Sequence, residues 1–425
     1  MILIKAQDSA KNFNSKLRES ANFSLRGIRK ICREIGPRIA GSESEMKAQE
    51  SIMETAQRFS DEVIKEEYKV SPSAFYSWTV IDGVIMMIAS VLFALSVFVT
   101  QIPENVAEIF RIAALVAAGI SLFLLVTEFL LYKQVLDPFM KKATSSNVIC
   151  KRKATGEVKR RIIFTGHVDS CWEWRYTHLG GANLLRTVIA SAVAMLFVCI
   201  GTGIAAFFVD NETFITIAGI LHAAGFFIFG FVPFFLNWKN PVVGANDNLT
   251  GVFNSLAMLQ YLDSNDIRFE NTEVWAVSMG SEEIGLRGAK HFAKTHKKEL
   301  SDVETVCVVA DTICELEYLS VYNKDMNGIV KLDKELVEFL QNAAKNAGYD
   351  LPLASVYFGS SDSTAFAQNG YKTVTLAAMD PAPARYYHTR RDTDEILDLK
   401  AIEAGVHICV EAMFMYDENG LKISQ

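Results

Sequence analysis

The seven cysteines of this 425-residue chain include no CxxC pair. Cys32, Cys150, Cys171, Cys199, Cys307, Cys314 and Cys409 form an odd, unpatterned set, which speaks against a disulfide framework and for free thiols in a reducing compartment. No basic stripe with interleaved aromatics is found, and the formal net charge is −7, so nothing points to a nucleic-acid partner. Residues 1–19 mix both signs of charge and lack an apolar core, so no signal peptide is expected there. Apolar residues, by contrast, are plentiful. They make up half the chain and mean hydropathy is positive, which suggests membrane segments, while the length allows two or three domains.

Four uncharged apolar runs cover 83–99, 112–127, 187–209 and 213–238. A membrane-spanning helix needs about 20 such residues. The last two runs meet that outright, and the first two do so with 78–82 and 128–132 as interfacial ends. Trp78, Trp172, Trp174 and Trp238 flank the runs as an aromatic belt would. Asp82 lies close enough to an end to snorkel, and His222 reads as a helix-packing residue. Two transmembrane hairpins, 78–132 and 185–238, are therefore expected inside a soluble part formed by 1–77, 133–184 and 239–425. Lys65, Lys69, Lys133, Lys141, Lys142, Arg175, Arg186 and Lys239 lie near the helix ends on the side of the soluble part, against Arg111 alone on the other. That asymmetry places the soluble part and both termini in the cytoplasm.

The soluble segments read as α/β. Two helices are expected between 24 and 59 around Gly36-Pro37-Arg38-Ile39-Ala40-Gly41-Ser42, with Ser42 capping the second. A strand follows at 63–70. Strands at 147–153 and 159–165 are joined by a Thr155-Gly156 turn. Beyond the fourth apolar run, strands at 272–278, 306–309 and 372–377 alternate with helices at 251–262, 286–295, 334–347 and 399–416. This predicts a mostly parallel central sheet sandwiched by helices, with the two transmembrane hairpins inserted.

Chemistry-bearing residues gather at expected strand ends. Gly244-Ala245-Asn246-Asp247-Asn248 can turn sharply and set Asp247 at the mouth of a helix, where its two oxygens can serve two cations or simply cap a turn. Thr165-Gly166-His167-Val168-Asp169 offers a metal-ligating histidine with Asp169 fixing it or its neighbours from behind. Glu282 and Glu283 follow a strand and point different ways, so one can ligate and the other reach a bound water. Asp311 ends another strand, and Tyr387-His388 lies in a late loop. All fall in the crevice where open α/β sheets bind ligands, and nitrogen and oxygen donors without thiolate suit Zn²⁺. His178, His291, His296 and His407 have no such context and read as surface or packing residues.

The ordered set His167, Asp247, Glu282-Glu283, Asp311, His388, with the Gly-Pro-Arg-Ile-Ala-Gly-Ser turn, resembles metallopeptidase family twenty-eight. These are co-catalytic zinc aminopeptidases whose relatives include glutamate carboxypeptidases and glutaminyl cyclases. The resemblance covers the soluble segments from about 28 to 415. It implies two Zn²⁺ per chain bridged by Asp247, one completed by His167 and Asp311 and the other by Glu283 and His388. It further implies Glu282 as general base and a cis peptide after Asp247. The expected activity is a membrane-embedded aminopeptidase acting on peptide substrates. In it Glu282 moves a proton from water to the leaving amine, and the second metal holds the substrate's α-amine. Tyr387 is either a donor to the oxyanion or a packed aromatic.

The chain departs from the family in its hairpins. Eight residues, 239–246, separate Trp238 from Asp247, which limits that carboxylate to within about 30 Å of the membrane surface. Peptides or lipopeptides presented at the bilayer are the expected substrates. A glutaminyl-cyclase-like acyltransferase with one zinc, a carboxypeptidase, and a membrane adaptor with a peptidase-like domain stay open as alternatives.

Overall fold

A computed structural model describes residues 14–422 except 357, 381 and 383; of the stretch 1–19, where no signal peptide is expected, residues 1–13 lie outside the described residues. The chain divides into two units. One comprises Met1–Pro72, Lys142–Trp172 and Asn240–Gln425, and the other Ser73–Lys141 and Glu173–Lys239.

In the first unit, α1 (Asn14–Glu34) and α2 (Glu43–Ala56) lead into β1 (Glu62–Val70). Strands β2 (Ala143–Arg152) and β3 (Arg160–His167) follow, then α3 (Leu249–Ser264), β4 (Thr272–Met279) and α4 (Arg287–Thr295). The chain continues through β5 (Glu304–Ile313), β6 (Leu319–Asp325), β7 (Val330–Lys331) and α5 (Lys334–Asn346). It ends with β8 (Leu353–Ser355), α6 (Ser363–Gln368), β9 (Lys372–Ala378) and α7 (Leu399–Asn419).

The sheet order is β1-β2-β4-β3-β5-β9-β6-β8, with β7 on β6. The four central strands β4, β3, β5 and β9 are parallel, whereas β1, β2 and β6 pair antiparallel. The architecture is thus α/β, a mixed and largely parallel sheet flanked by helices. Ile162-Ile163-Phe164 of β3 and Val306–Val309 of β5 are buried throughout, as strands covered on both faces must be. Charge-rich β1 takes the edge, where it discourages further pairing. Ser42 caps α2 by accepting from Glu45 N, as the sequence suggests, and Asp333 caps α5 by accepting from Leu336 N.

Two expectations for this unit change. Strands β2 and β3 are not neighbours, because β4 lies between them. Their connecting turn is held instead by the segment entering β4, with Thr155 N donating to Phe269 O at 3.0 Å and Gly156 N to Glu270 O at 2.8 Å. The first helix begins at Asn14, ten residues earlier than its apolar spacing indicates.

The second unit contains four helices long and apolar enough to cross a membrane: Pro72–Phe98, Glu104–Leu130, Arg175–Ala205 and Glu212–Phe234. Met86, Phe93, Ala118, Leu196 and Phe229 pack inside it, while Ile88, Phe123, Phe197 and Phe227 are exposed. His222 stacks on Phe93 with ring centroids 3.8 Å apart and meets Thr202 Oγ1 at 3.2 Å, a packing role. Asp82 does not snorkel; it is buried and bonded to Ser121 of the next helix. The fourth apolar run stops being α-helical at Phe229, passes a turn containing Pro233, and becomes a strand, Leu236–Pro241, paired with Trp172–Trp174.

Candidate metal centre

Strand β3 delivers His167 at its last residue, opposite Met279 of β4. Its Nδ1 lies 3.2 Å from Asp169 O and 3.5 Å from Asp169 Oδ1, so Nε2 is turned the other way. There it meets Asp247 Oδ1 at 3.2 Å and Glu282 Oε2 at 3.7 Å.

Asp247 sits on the turn that opens α3. Gly244 takes φ +64°, and a Cβ there would come within 2.5 Å of Asp247 O. Gly251 brings the helix against β5; a Cβ on it would lie 2.1 Å from Ala310 O. Asn248 caps the helix by accepting from Gly251 N at 2.9 Å, and the Asp247–Asn248 peptide is cis. The second oxygen, Asp247 Oδ2, stands 2.9 Å from His388 Nε2 and has no in-line hydrogen-bond donor.

The turn after β4 carries Glu282 and Glu283 in opposite directions. Asp169 grips both backbone amides, Glu282 N at 2.9 Å and Glu283 N at 3.0 Å. Glu282 then faces His167, and Glu283 Oε2 lies 3.4 Å from His388 Nε2. Asp311, partly exposed near the end of β5, joins His167 and Asp247. The Tyr387 ring stacks on His388 at 3.9 Å.

Charge is concentrated here with little solvent to spread it. Burial pushes Glu282, Glu283 and Asp311 well above the usual carboxylate range, and the Asp247 charge adds to the rise in Glu283 and Asp311. Burial opposes ionisation of His167, but Glu282, Asp169 and Asp247 outweigh it and carry the imidazole well above its ordinary value. For Asp247 burial works upward too, yet the two imidazoles hold it far below.

Ligand atoms of His167, Asp247 and Asp311 all lie within 4.8 Å of one another, as do those of Cys171, Glu283 and His388. Asp247 offers one oxygen toward each group. Its Oδ2 and Glu283 Oε1 are buried without a hydrogen-bond partner, which a cation would satisfy. The residues present therefore fit two divalent metal ions, and the donor set suits zinc.

Residues 230–413 match the model of peptidase family M28. That stretch holds Asp247, Glu282, Glu283, Asp311 and His388, whereas His167 precedes it. Among solved structures, an aminopeptidase from Aneurinibacillus sp. strain AM-1 superposes with TM-score 0.54 at 14% identity, covering 94% of this chain and 95% of its own. A zinc aminopeptidase from Bacillus subtilis gives TM-score 0.53 at 16% identity, with 93% and 95% covered. A glutaminyl cyclase from Fimbriiglobus ruber gives 0.53 at 13%, again with 93% and 95% covered. At such identity the likeness is one of fold. No curated protein matches in sequence.

All eight residues singled out in the sequence, His167, Asp169, Asp247, Glu282, Glu283, Asp311, Tyr387 and His388, meet in this M28-like crevice. Four others had drawn no role. Arg38, fully buried, donates from Nε to Val168 O (2.6 Å), from Nη1 to Gly36 O (2.8 Å) and Val243 O (2.7 Å), and from Nη2 to Gly244 O (2.8 Å). It thereby ties the end of β3 to the Asp247 turn. Asp392 accepts Asn246 N and Asp247 N at 2.7 and 3.0 Å, and burial pushes it up to about 7. Glu45 accepts Gly41 N at 2.6 Å and Ser281 N at 2.7 Å, holding Ser281 at φ +56°. Cys171 is the fourth; its one sequence signal is its place four residues after His167.

Proposed function

We propose that the chain is a membrane-embedded zinc exopeptidase of the M28 type that removes amino-terminal residues from peptides. The observation that carries this reading is the division of Asp247, one oxygen 3.2 Å from His167 and the other 2.9 Å from His388. In it, His167 and Asp311 complete one zinc site with Asp247, and Glu283 and His388 complete the other. Zinc bound there supplies an acidified water and polarises a carbonyl.

The chain's own residues do the rest. Glu282 stands 3.7 Å from His167 Nε2, beside the first metal position, where its carboxylate can take a proton from water and return it to the leaving amine. Asp169 fixes that base through the Glu282 and Glu283 amides. Tyr387, raised by burial and then by Asp247, stays protonated and donates its hydroxyl to the developing oxyanion. Asp247, Glu282, Glu283 and Asp311 balance two divalent cations, leaving no surplus positive charge for a substrate's terminal carboxylate. That balance favours the amino end over the carboxyl end.

In the same reading the four apolar helices span the bilayer, with the peptidase unit and both termini in the cytoplasm, and substrates are drawn from peptides near the membrane. A reporter phosphatase inserted at Asn211 is expected outside the cell and active, and one after Gln425 inside and inactive; the reverse would overturn the orientation. The activity is tested by zinc content and hydrolysis of aminoacyl-anilides by the detergent-purified chain, with Glu282→Gln as control. About two zincs per chain, with turnover lost and metal kept in the variant, is the expected result. One zinc and no anilide turnover would favour a glutaminyl cyclase instead.

A further inference from the structure

Cys171 lies just beyond β3, and its carbonyl accepts Val242 N at 2.9 Å, which pins it beside the Asp247 turn. The residue is 2% exposed. Its Sγ, a Glu283 carboxylate oxygen and a His388 ring nitrogen all lie within 4.8 Å of one another. The Glu283 Oε2 to His388 Nε2 distance of 3.4 Å is close to the edge of a tetrahedron around zinc, about 3.3 Å for bonds of about 2.0–2.1 Å. Glu283, 7% exposed, belongs to the same group; the Cys171 thiol hydrogen-bonds its carboxylate, and its Oε1 meets no other donor.

We infer that the Cys171 sulfur is a ligand of the second metal position, closing it with Asp247 Oδ2, Glu283 and His388, while the first position keeps an open site. The inference rests on the metallopeptidase reading above and refines it. Four protein donors make a closed, structural type of zinc site, and three leave room for water or substrate. His167, Asp247 and Asp311 are three, and Glu282, the proposed base, stands beside them rather than beside Cys171. The first position would then supply the acidified water, and the second, closed by protein donors, would fix Asp247 rather than hold the substrate's α-amine. A thiolate also biases the second position toward softer ions such as zinc and cadmium over manganese and magnesium. On binding, the S–H bond is exchanged for a sulfur–metal bond, and one proton is released to solvent.

The test is cobalt substitution of the full chain in detergent, read by absorption. Wild type loaded with two Co²⁺ should show a near-ultraviolet thiolate-to-cobalt charge-transfer band besides the visible d–d bands. In Cys171→Ser and Cys171→Ala the band should vanish, and one of the two ions should bind roughly 100-fold more weakly while the other is unchanged. Cobalt bound without the band, or a band that survives in both variants, would overturn the inference and leave the metallopeptidase reading standing. No cobalt or zinc bound at all would overturn both. If the variants do not fold, X-ray absorption of the zinc-loaded wild type decides: a sulfur shell at about 2.3 Å supports the ligand, and nitrogen and oxygen alone refute it.

Discussion

Glu45→Gln tests how the loop bearing the proposed base is held. Glu45 is fully buried, and four donors converge on its carboxyl group: Gly41 N, Ser281 N, Ser281 Oγ and Ser145 Oγ, at 2.6 to 3.1 Å. Burial and the nearby Asp169 charge act against those donors and push the group from 4.5 up to about 8. The folded chain therefore binds this proton more tightly than the unfolded chain does. The resulting stabilisation is complete below about pH 4.5 and is lost as the pH rises through about 8. At about 1.4 kcal/mol per tenfold change in acidity, its ceiling is ~5 kcal/mol.

Glutamine imitates the neutral acid at every pH. It keeps an acceptor for Ser281 N but turns an NH₂ toward Gly41 N, a mismatch costing about 1–3 kcal/mol. Thermal midpoints of wild type and variant, both in detergent with the metal chelated, should therefore converge between pH 5 and 9. The variant should be the weaker protein in acid and equal or better at pH 9. A difference that stays flat over this range would mean that the four donors keep Glu45 ionised throughout, and the argument would fall.

Arg38→Lys should lower stability by about 3–5 kcal/mol despite the retained charge, because one ammonium cannot serve four backbone carbonyls, two of them buried, that a fork reaches; a loss under about 1 kcal/mol in a melting assay would refute this. Asp392→Asn places an amide NH₂ against one of two backbone N–H groups, so zinc affinity should fall about 10–100-fold in a competing-chelator titration. Unchanged affinity would mean that the Asp247 turn needs no such brace. His296 is raised by its bond to Glu66, with burial opposing and Glu299 assisting, so its stabilisation is present below about pH 6.5 and disappears at higher pH. His296→Gln should cost more at pH 5.5 than at pH 8.5, and equal penalties at the two would rule out a charged histidine.

The candidate metal ligands were legible because each stands in a short contiguous motif at a strand end or in the loop that follows one, so that the order of the sheet crevice is written along the chain. The residues that brace them were not. Asp392 reaches Asn246 across 146 positions and Glu45 reaches Ser281 across 236, and both bind backbone amides, which carry no residue identity. Cys171 looked like one thiol among seven, since nothing in a cysteine's neighbours along the chain reports a carboxylate folded against it. Strands β7 and β8, of two and three residues, are too short for any periodicity to emerge. The insertion of β4 between β2 and β3 is a matter of pairing, and the turn residues alone suggested a hairpin.

Hydrogen-bond accounting separates the buried carboxylates of the crevice into two kinds. Asp169, Asp392 and Glu45 each accept two backbone amides, so their oxygens are partnered within the fold. Asp247 and Glu283 each keep a buried oxygen, Oδ2 and Oε1, that no in-line donor meets, and His388 Nε2 stands 2.9 Å from Asp247 Oδ2 and 3.4 Å from the other Glu283 oxygen, Oε2. A buried, unpaired carboxylate oxygen is costly, so a chain that places two of them together implies a cation to face them. Asp362 shows what happens otherwise. Neither of its oxygens has a partner and it belongs to neither ligand group, but burial pushes it up to about 7, so a proton can do there what a metal ion would do at Asp247. The difference lies in neighbours: Asp247 has two histidines turned toward its separate oxygens.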